Sequence, residues 1–453
     1  MSTDLTKLNN FYFIGITGVG MTALAQVLKT MGKDVSGWDV ANEFITAPML
    51  AKHQIPVDVS PPNKAKLPTS TQAVIYTGAH QGAENPLVKK AHQQGLPRLT
   101  HAQALGAVFN LKQGVAVCGV GGKSTTSAML AFITHKLGKP QAFQVGVGKI
   151  NGLDYTGYWS DEARFFIAEA DEYAQNPQAV KKGQKPIARF SYLKPNITIV
   201  TNLKFDHPDV YQDFNQTKTT FLEFFKQIKP DGYLIYNQHD QQLAHLAQEL
   251  ILERPDITLI PYAIDNRIKL NLPGKHFRQN ATAALIAAEL MGFETQAVIH
   301  VLGQFQSTGR RLEPKIKTQN FLGFDDYAHH PHEIKATLAA LKQAYPQYYL
   351  LAAFQPHTFS RTKALLDEFA QALTLADEVI LLPIFASARE KQGQVNSQDL
   401  LEKLHQLKPN KPTKLLSIND LAKLIKQLKS NSGKKTLLVT LGAGTIYQAW
   451  EKI

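Results

Sequence analysis

Cysteine is almost missing from this sequence: 453 residues include one, Cys118. A lone cysteine cannot close an internal disulfide, which excludes a disulfide-stapled scaffold and agrees with a reducing compartment. Long hydrophobic runs are also missing. No apolar stretch reaches the roughly 18–20 residues that a helix needs to cross a bilayer. The opening residues, MSTDLTKLNN, are polar and lack the apolar region of a signal peptide. These absences predict a cytoplasmic protein. There is no repeat of solenoid period and no low-complexity tract. A composition of 44% hydrophobic and 19% charged residues excludes a disordered chain.

Negative charge is scarce, with 37 acidic residues against 49 basic ones and a formal net charge of +12. A nucleic-acid binder would gather its lysines and arginines into a stripe. Here they are scattered, and the densest spot, VKKGQK at 180–185, is short and lacks interleaved aromatics. The pattern fits a lysine-rich solvated surface, with a few cations kept in clefts for phosphorylated or carboxylated substrates.

What is present is an alternation of strand-like and helix-like segments, which argues for an α/β fold with parallel sheets. At this length two to four domains of about 100–200 residues are expected. FYFIGI (11–16), KDVSGWD (33–39) and AVIYTG (73–78) read as strands of a first unit ending near residue 110. GVAVCG, ARFFIAEAD (163–171), ITIVTNL (197–203) and GYLIYN (232–237) read as strands of a second, with a helix over 216–228. A loop and an alanine-rich helix follow within 271–292. Gly309 and Pro314 break the periodicity and mark a boundary. The third unit holds strands around FLGFDD, YYLLAAF, EVILL and TLLVTL, a helix over 332–344, and LLEKLHQLKPNKPTK as a surface helix and loop.

The stretch GVAVCGVGGKSTTSAML places Gly119, Val120, Gly121, Gly122, Lys123, Ser124 and Thr125 between a strand end and a helix start. Such a turn offers free backbone N–H groups and the positive end of a helix, which together favour a phosphate. Lys123 can then reach terminal phosphates and Ser124 can ligate magnesium. The spacing Gly-x-x-Gly-Lys-Ser is shorter than the common phosphate-loop pattern, and a glycine turn with an exposed lysine is the alternative. A second glycine loop, GITGVGMTALA, also joins a strand to a helix but lacks a lysine. Its G-x-x-G-x-G differs from the dinucleotide fingerprint, and Asp39 follows at about the distance of a ribose-binding acid. A diphosphate site, a nicotinamide or flavin site, and glycines that only allow tight packing all remain open on this stretch.

Taken in order, FIGITGVGMTALA, YTGAHQGAENP, GKSTT, EADE, TNLKFDHPDVY, PGKHFRQNATAA, RRLE, DDYAHHP, FQPHTFSRT, IFASARE and LGAGTI run along nearly the whole chain. This series resembles the Mur ligases of peptidoglycan synthesis, most closely their alanine-adding members. The resemblance implies three domains: a Rossmann-like UDP-sugar domain over 1–110, a central P-loop ATPase-like domain over 111–309, and a Rossmann-like α/β ligase domain over 310–453. It implies that ATP, with magnesium, activates the carboxylate of UDP-N-acetylmuramate as an acyl phosphate, which the amine of L-alanine attacks. It also implies a monomer or homodimer.

The resemblance assigns roles residue by residue. Gly15, Thr17, Gly18, Val19, Gly20, Met21, Asp39 and Thr77 fall on the UDP-sugar site. Lys123, Glu169, His207, His330 and Arg361 fall on catalytic positions, with Ser124, Glu169 and His207 toward magnesium. Asn280 matches an adenine contact, Arg311 a phosphate-binding arginine and Asp326 a ribose-side acid. His330, His357 and Arg361 fall on the amino-acid site, where an arginine can grip a carboxylate bidentately. The competing readings are a surface carboxylate for Glu169, a packed or capping His207, a helix N-cap for Asn280, a solvated pair for Arg310 and Arg311, and a surface position for Arg361. Two departures from the family pattern stand out. Val120 and Gly121 replace the usual threonine and histidine of the phosphate loop, and residues 174–192 lengthen the segment between Glu169 and His207. That length is similar to the ligase that recycles murein tripeptides. A nicotinamide-dependent oxidoreductase and an inactive nucleotide-binding protein are the readings from other classes.

Overall fold

The structure, a computed structural model, describes residues 4–41, 44–386, 390, 392–430 and 433–453. Most of the motif IFASARE's second half, Ser387 to Arg389, lies outside them. The chain packs as two units: one holds Met1–Asn271 and Arg278–Thr308, the other Leu272–Phe277 and Gly309–Ile453. Among the described residues no helix is long and apolar enough to cross a membrane.

The first unit contains two sheets. In the five-stranded one, β1 (Asn10–Ile14), β2 (Asp34–Trp38), β3 (Val57–Asp58), β4 (Ala73–Tyr76) and β5 (Arg98–Thr100) lie in the order β3-β2-β1-β4-β5, all parallel. The order reverses between β1 and β4, so a crevice opens at their carboxyl ends. In the seven-stranded sheet, β6 (Gln113–Cys118), β7 (Phe143–Gln144), β8 (Gly157–Tyr158), β9 (Phe165–Glu169), β10 (Ile197–Val200), β11 (Tyr233–Asn237) and β12 (Thr258–Tyr262) follow the order β12-β11-β10-β6-β9-β7-β8. Only β8 in this sheet runs antiparallel to its neighbour. Central strands here read as continuous Val, Ile and Ala because both faces are covered. One contiguous core runs through both sheets, from Phe11 and Phe13 to Phe166, Phe221 and Leu250.

Residues 174–192 are not a free loop. Their last turn, Arg189–Tyr192, drives Phe190 into an aromatic cluster, stacked on Phe224 at 4.2 Å and edge-on to Phe221 at 5.4 Å. Such pairs add to the area they bury. Gly106 admits this turn: a Cβ there would stand 2.7 Å from the Tyr192 carbonyl.

The second unit holds β13 (Glu313–Lys317), β14 (Phe321–Asp326), β15 (Tyr349–Phe354), β16 (Glu378–Leu381), β17 (Thr413–Leu415) and β18 (Thr436–Leu441) in the order β13-β14-β18-β15-β16-β17. β13 is antiparallel and the rest are parallel. Several sequence expectations shift. KPTK does not end as loop, because Thr413–Leu415 adds an edge strand beside β16. The helix expected from 216 begins at Phe214, where Asp213 caps it through the Gln216 amide at 2.8 Å. The alanine-rich helix starts at Lys275, so Asn280 sits within it and is no N-cap.

Candidate active site

The phosphate-type loop leaves β6 at the centre of its sheet and enters the helix Lys123–Lys136. Its shape depends on two glycines. Gly119 has φ +118°, and a Cβ would lie 2.3 Å from Thr201 Oγ1; Gly122 has φ +93°, and a Cβ would lie 2.6 Å from Asn280 Oδ1. L-residues rarely adopt such φ values. The segment after β10 braces the loop from behind: Thr201 Oγ1 and Asn202 Nδ2 donate to the Gly121 carbonyl at 2.5 and 2.7 Å, and the Gly121 amide donates to Asn202 Oδ1 at 3.2 Å. Asn280, buried, therefore stands against the loop at Gly122. The Thr126 amide makes the first helical bond, to Gly122 O at 2.9 Å. The amides of Lys123, Ser124 and Thr125 thus belong to a first turn, which has no intrahelical acceptor.

Lys123 is not the exposed lysine of the alternative reading. Its Nζ donates to both Glu172 oxygens, at 2.9 and 2.7 Å, with the lysine side chain 13% and the glutamate side chain 2% exposed. Burial opposes the ammonium charge, but Glu172, Asp171 and Glu169 outweigh it and hold Lys123 above the usual lysine range. Glu169, at the end of β9, accepts from Ser124 Oγ at 2.9 Å and from the Gly146 amide at 2.9 Å. Burial dominates and pushes its carboxyl up, against Lys123 and these two hydrogen bonds. Beside it, Asp171, Glu172 and His207 bring one ligand atom each within 4.8 Å of one another. His207 has φ +61° and lies 3.5 Å from Glu172 Oε1 and 3.6 Å from Asp206 Oδ2, with its ring edge-on to Tyr173. Burial works against the Asp171 charge, but Arg189, Lys123 and His207 prevail and keep it ionised, with Arg189 Nη1 at 2.7 Å.

Of the residues singled out from the sequence, the fold gathers Lys123, Ser124, Glu169 and His207 at the ends of β6, β9 and β10. Reasoning from sequence missed Asp171 and Glu172, although EADE offered the signal: acids crowded just past a strand end. The donor set is rich in hard oxygen, from Ser124, Glu169, Asp171 and Glu172, and such a set fits magnesium.

The other glycine loop follows β1. Its brace is an acid: the Thr17 amide donates to Asp39 Oδ2 at 2.9 Å, the Thr17 hydroxyl also donates to Asp39, the Val40 amide donates at 2.8 Å, and His80 Nε2 lies 3.2 Å away. Burial raises the Asp39 carboxyl, and the hydrogen bonds from His80, Thr17 and Val40 outweigh it and hold it low. A carboxylate 1% exposed and so fully engaged braces the loop instead of facing a ribose. A Cβ on Gly15 would lie 2.4 Å from Thr77 Cγ2, which puts Thr77 directly beside the loop. The Thr22 amide closes the first helical bond on Gly18 O at 2.8 Å, so Val19, Gly20 and Met21 supply first-turn amides. The two loops converge: a Cβ on Gly146 would lie 3.1 Å from Glu169 Oε2 and 3.9 Å from Val19 Cγ2.

In the second unit Arg310 is buried, paired with Asp325 at 2.9 Å, donating to the Gly442 and Gly444 carbonyls at 2.5 and 3.1 Å, and stacked near Tyr447. Arg311 is half-buried, 3.5 Å from Glu333. The solvated-pair reading fails for both. Asp326 accepts from the Ala328 amide at 2.7 Å and the Leu312 amide at 2.9 Å, and burial, against Arg311, pushes its carboxyl up to about 6. Like Asp39, it braces its surroundings. His330 caps the helix Pro331–Ala344, accepting at Nδ1 from the His332 amide at 3.2 Å, in a capping box with Glu333. Arg361 is 5% exposed, with Nη1 3.4 Å from His357 Nδ1, and His357 packs edge-on to His329 at 6.2 Å. The surface reading of Arg361 fails, and His329 stands beside His357.

Comparison with known proteins agrees with this construction. Three Mur ligase domain descriptions match the chain: the catalytic domain over residues 10–113, the middle domain over 117–267 and the glutamate ligase domain over 310–444. The UDP-N-acetylmuramate–L-alanine ligase of Caldanaerobacter subterraneus subsp. tengcongensis is 31% identical over 100% of this chain and 98% of its own. That of Desulfitobacterium hafniense is 32% identical over 98% and 99%. Among solved structures, the UDP-N-acetylmuramate-alanine ligase of Thermotoga maritima has a TM-score of 0.76 at 23% identity, covering 98% of this chain and 97% of that one. A murein peptide ligase of Psychrobacter arcticus has a TM-score of 0.70 at 21% identity, covering 98% and 99%. With the three domain descriptions matched in order along these sheets and relatives 31% and 32% identical over nearly their whole length, the chain belongs to the Mur ligase family.

Proposed function

We propose that this protein is an ATP-dependent ligase that joins the amine of L-alanine to the lactyl carboxylate of UDP-N-acetylmuramate. The observation that carries this reading is the convergence of two phosphate-type helix starts on Glu169. Ser124 of the second loop donates directly to Glu169, and Val19 of the first stands beside Gly146, whose amide donates to the same carboxylate. Such a site can hold a sugar diphosphate and a nucleoside triphosphate side by side, and the relatives' names carry the first of these, UDP-N-acetylmuramate.

A carboxylate is a poor electrophile. Attack by its oxygen on the γ-phosphorus of ATP forms an acyl phosphate and releases ADP. The neutral amine then attacks the carbonyl carbon, and phosphate leaves. Catalysis is alignment plus charge neutralisation. The amides of Gly121 to Thr125 cradle the phosphates, with Gly119 and Val120 leading into the turn. Lys123 exchanges Glu172 for the terminal phosphate, and Asn280 supports the loop on its adenine side. Ser124, Glu169 and the Asp171–Glu172–His207 cluster are the groups that would hold magnesium, which when bound neutralises charge on the β- and γ-phosphoryl oxygens. Gly15, Thr17, Gly18, Val19, Gly20, Met21 and Thr77 form the sugar-nucleotide cradle that Asp39 braces. Arg311 and Asp326 belong to the nucleotide side of the second unit, and His330, His357 and Arg361 to its amino-acid side. The domain limits at 110 and 309, a cytoplasmic location and a monomer or homodimer complete the proposal.

The test is phosphate release with UDP-N-acetylmuramate and ATP, and product mass from an equimolar mixture of L-alanine and the L-Ala-γ-D-Glu-diamino-acid tripeptide. We expect the alanine adduct, with glycine as a slow substrate, because one methyl group discriminates by only about 1–3 kcal/mol. A predominantly tripeptide-bearing product overturns the reading.

A further inference from the structure

The carbonyl of Gly20 lies in the first turn of the helix that carries the sugar-nucleotide loop. Two side chains from other elements reach it. His101 Nε2, on the first residue of the helix His101–Phe109, lies 3.0 Å away, and Gln144 Nε2, at the end of β7, donates at 3.3 Å. Gly20 leaves the room they need, since a Cβ there would stand 3.2 Å from His101 Nε2 and 3.7 Å from Gln144 Nε2. Both donors arrive from the sequence regions 101 and 144, and neither belongs to a motif that marked the site.

The chemistry of each residue matches this one task. Burial, helped by Arg189 and opposed by the bond to Gly20, pushes His101 down to about 4. It is therefore neutral near pH 7, and facing a carbonyl its Nε2 carries the proton. Gln144 is 2% exposed, and its Oε1 has no hydrogen-bond partner among the described residues. Leucine would fill that place without an orphaned oxygen, so what glutamine adds is its donor. Two residues beyond Gln144, the Gly146 amide binds Glu169. The segment 144–146 thus holds the first glycine loop with one end and the catalytic carboxylate with the other.

We propose that His101 and Gln144 are positioning residues for ligation: they clamp the Gly20 carbonyl and so fix the sugar-nucleotide loop in register with Ser124 and Glu169. The proposal rests on the reading of that loop as the UDP-sugar cradle. With the clamp closed, the amides of Val19, Gly20 and Met21 keep a set direction toward the diphosphate, and the acceptor carboxylate is delivered to the phosphoryl group. With the clamp open, the loop binds its ligand only after paying an ordering cost, while the ATP loop, braced by Thr201 and Asn202, is untouched.

The experiment uses the full chain with His101→Phe, Gln144→Leu, and the donor-retaining His101→Gln. Amide hydrogen exchange of residues 18–22 is measured without substrates, and KM for each substrate is measured in ligation. We expect faster exchange in His101→Phe and Gln144→Leu, and a KM for UDP-N-acetylmuramate raised about tenfold in each. KM for ATP stays within twofold, and His101→Gln restores most of the difference. Unchanged exchange overturns the clamp. Faster exchange with an unchanged KM for the sugar nucleotide, or with both KM values raised alike, overturns the positioning role. Failure of the wild-type protein to use UDP-N-acetylmuramate would sink the functional reading instead, and the exchange data would still decide the clamp.

Discussion

The two strand–loop–helix units of the first packing unit share a backbone plan and differ in what stands behind and in front of it. Both leave a parallel strand, turn through glycines and close their first helical bond on a glycine carbonyl, Gly18 in one and Gly122 in the other. Behind the first loop is a buried acid, Asp39, which accepts from Thr17 and Val40. Behind the second are the neutral Thr201 and Asn202. In front, only the second carries a cation, Lys123, tied to Glu172. The difference follows from chemistry. A diphosphate that is bound and left intact needs oriented amides and the positive end of a helix. A phosphoryl group in transfer needs a full charge that can leave one partner and follow the moving group.

The sharpest way to break the contrast is to remove the cation. Lys123→Met should lower kcat/KM for ATP by about 10²–10³-fold, the scale of losing one preorganised transition-state donor, with the fold retained by circular dichroism. Near-normal turnover would mean that the two loops do the same job. Next comes the metal side. Glu169→Gln keeps the shape and the Ser124 contact but removes a charge, so the magnesium concentration for half-maximal rate should rise about 10–100-fold, as losses around metal ligands do. An unchanged magnesium titration would move the metal to other residues.

The braces test the contrast more finely. Asp39→Asn should raise KM for UDP-N-acetylmuramate about tenfold and leave KM for ATP alone, while Asn202→Ala should do the reverse; the first replaces an acceptor oxygen behind its loop and the second removes two hydrogen bonds to Gly121. If each variant alters both constants equally, the loops are one cooperative body and not two. The smallest effect is in stability. His101 has a folded pKa of about 4, below its ordinary value. Protonation therefore favours the unfolded chain, and this residue's contribution is complete above about pH 6.5 and lost as pH falls toward 4. The Tm of the wild type should drop faster between pH 7 and 4.5 than that of His101→Gln. Parallel melting curves would show that His101 is not buried as a neutral ring.

The loops themselves were legible because their signals are local. Glycines beside a lysine between an apolar strand and an apolar-periodic helix describe one turn of backbone. Short continuous apolar runs likewise located most strands. Asp39 shows where this stopped: an acid after a second strand reads as a ribose ligand, and only the fold reveals that Thr17, Val40 and His80 have engaged it. The competing readings of Asn280 and Arg310 failed for the same reason, since a helix start and a solvated pair are judgements about neighbours distant in sequence.

By itself the sequence determined the family, the α/β alternation, and the placing of Lys123, Ser124, Glu169 and His207 at strand ends, because each depends on contacts a few residues long or on an ordered series of motifs. Tertiary structure alone decided which carboxylate holds Lys123, which acids join His207, that residues 174–192 are pinned by Phe190, and that His101 and Gln144 meet at Gly20. Those are pairings across 49, 36, 34, 81 and 124 positions of chain. The physical reason is that a hydrogen bond or ion pair is set by distance in space, and that distance exists only once the sheets have brought their carboxyl edges together.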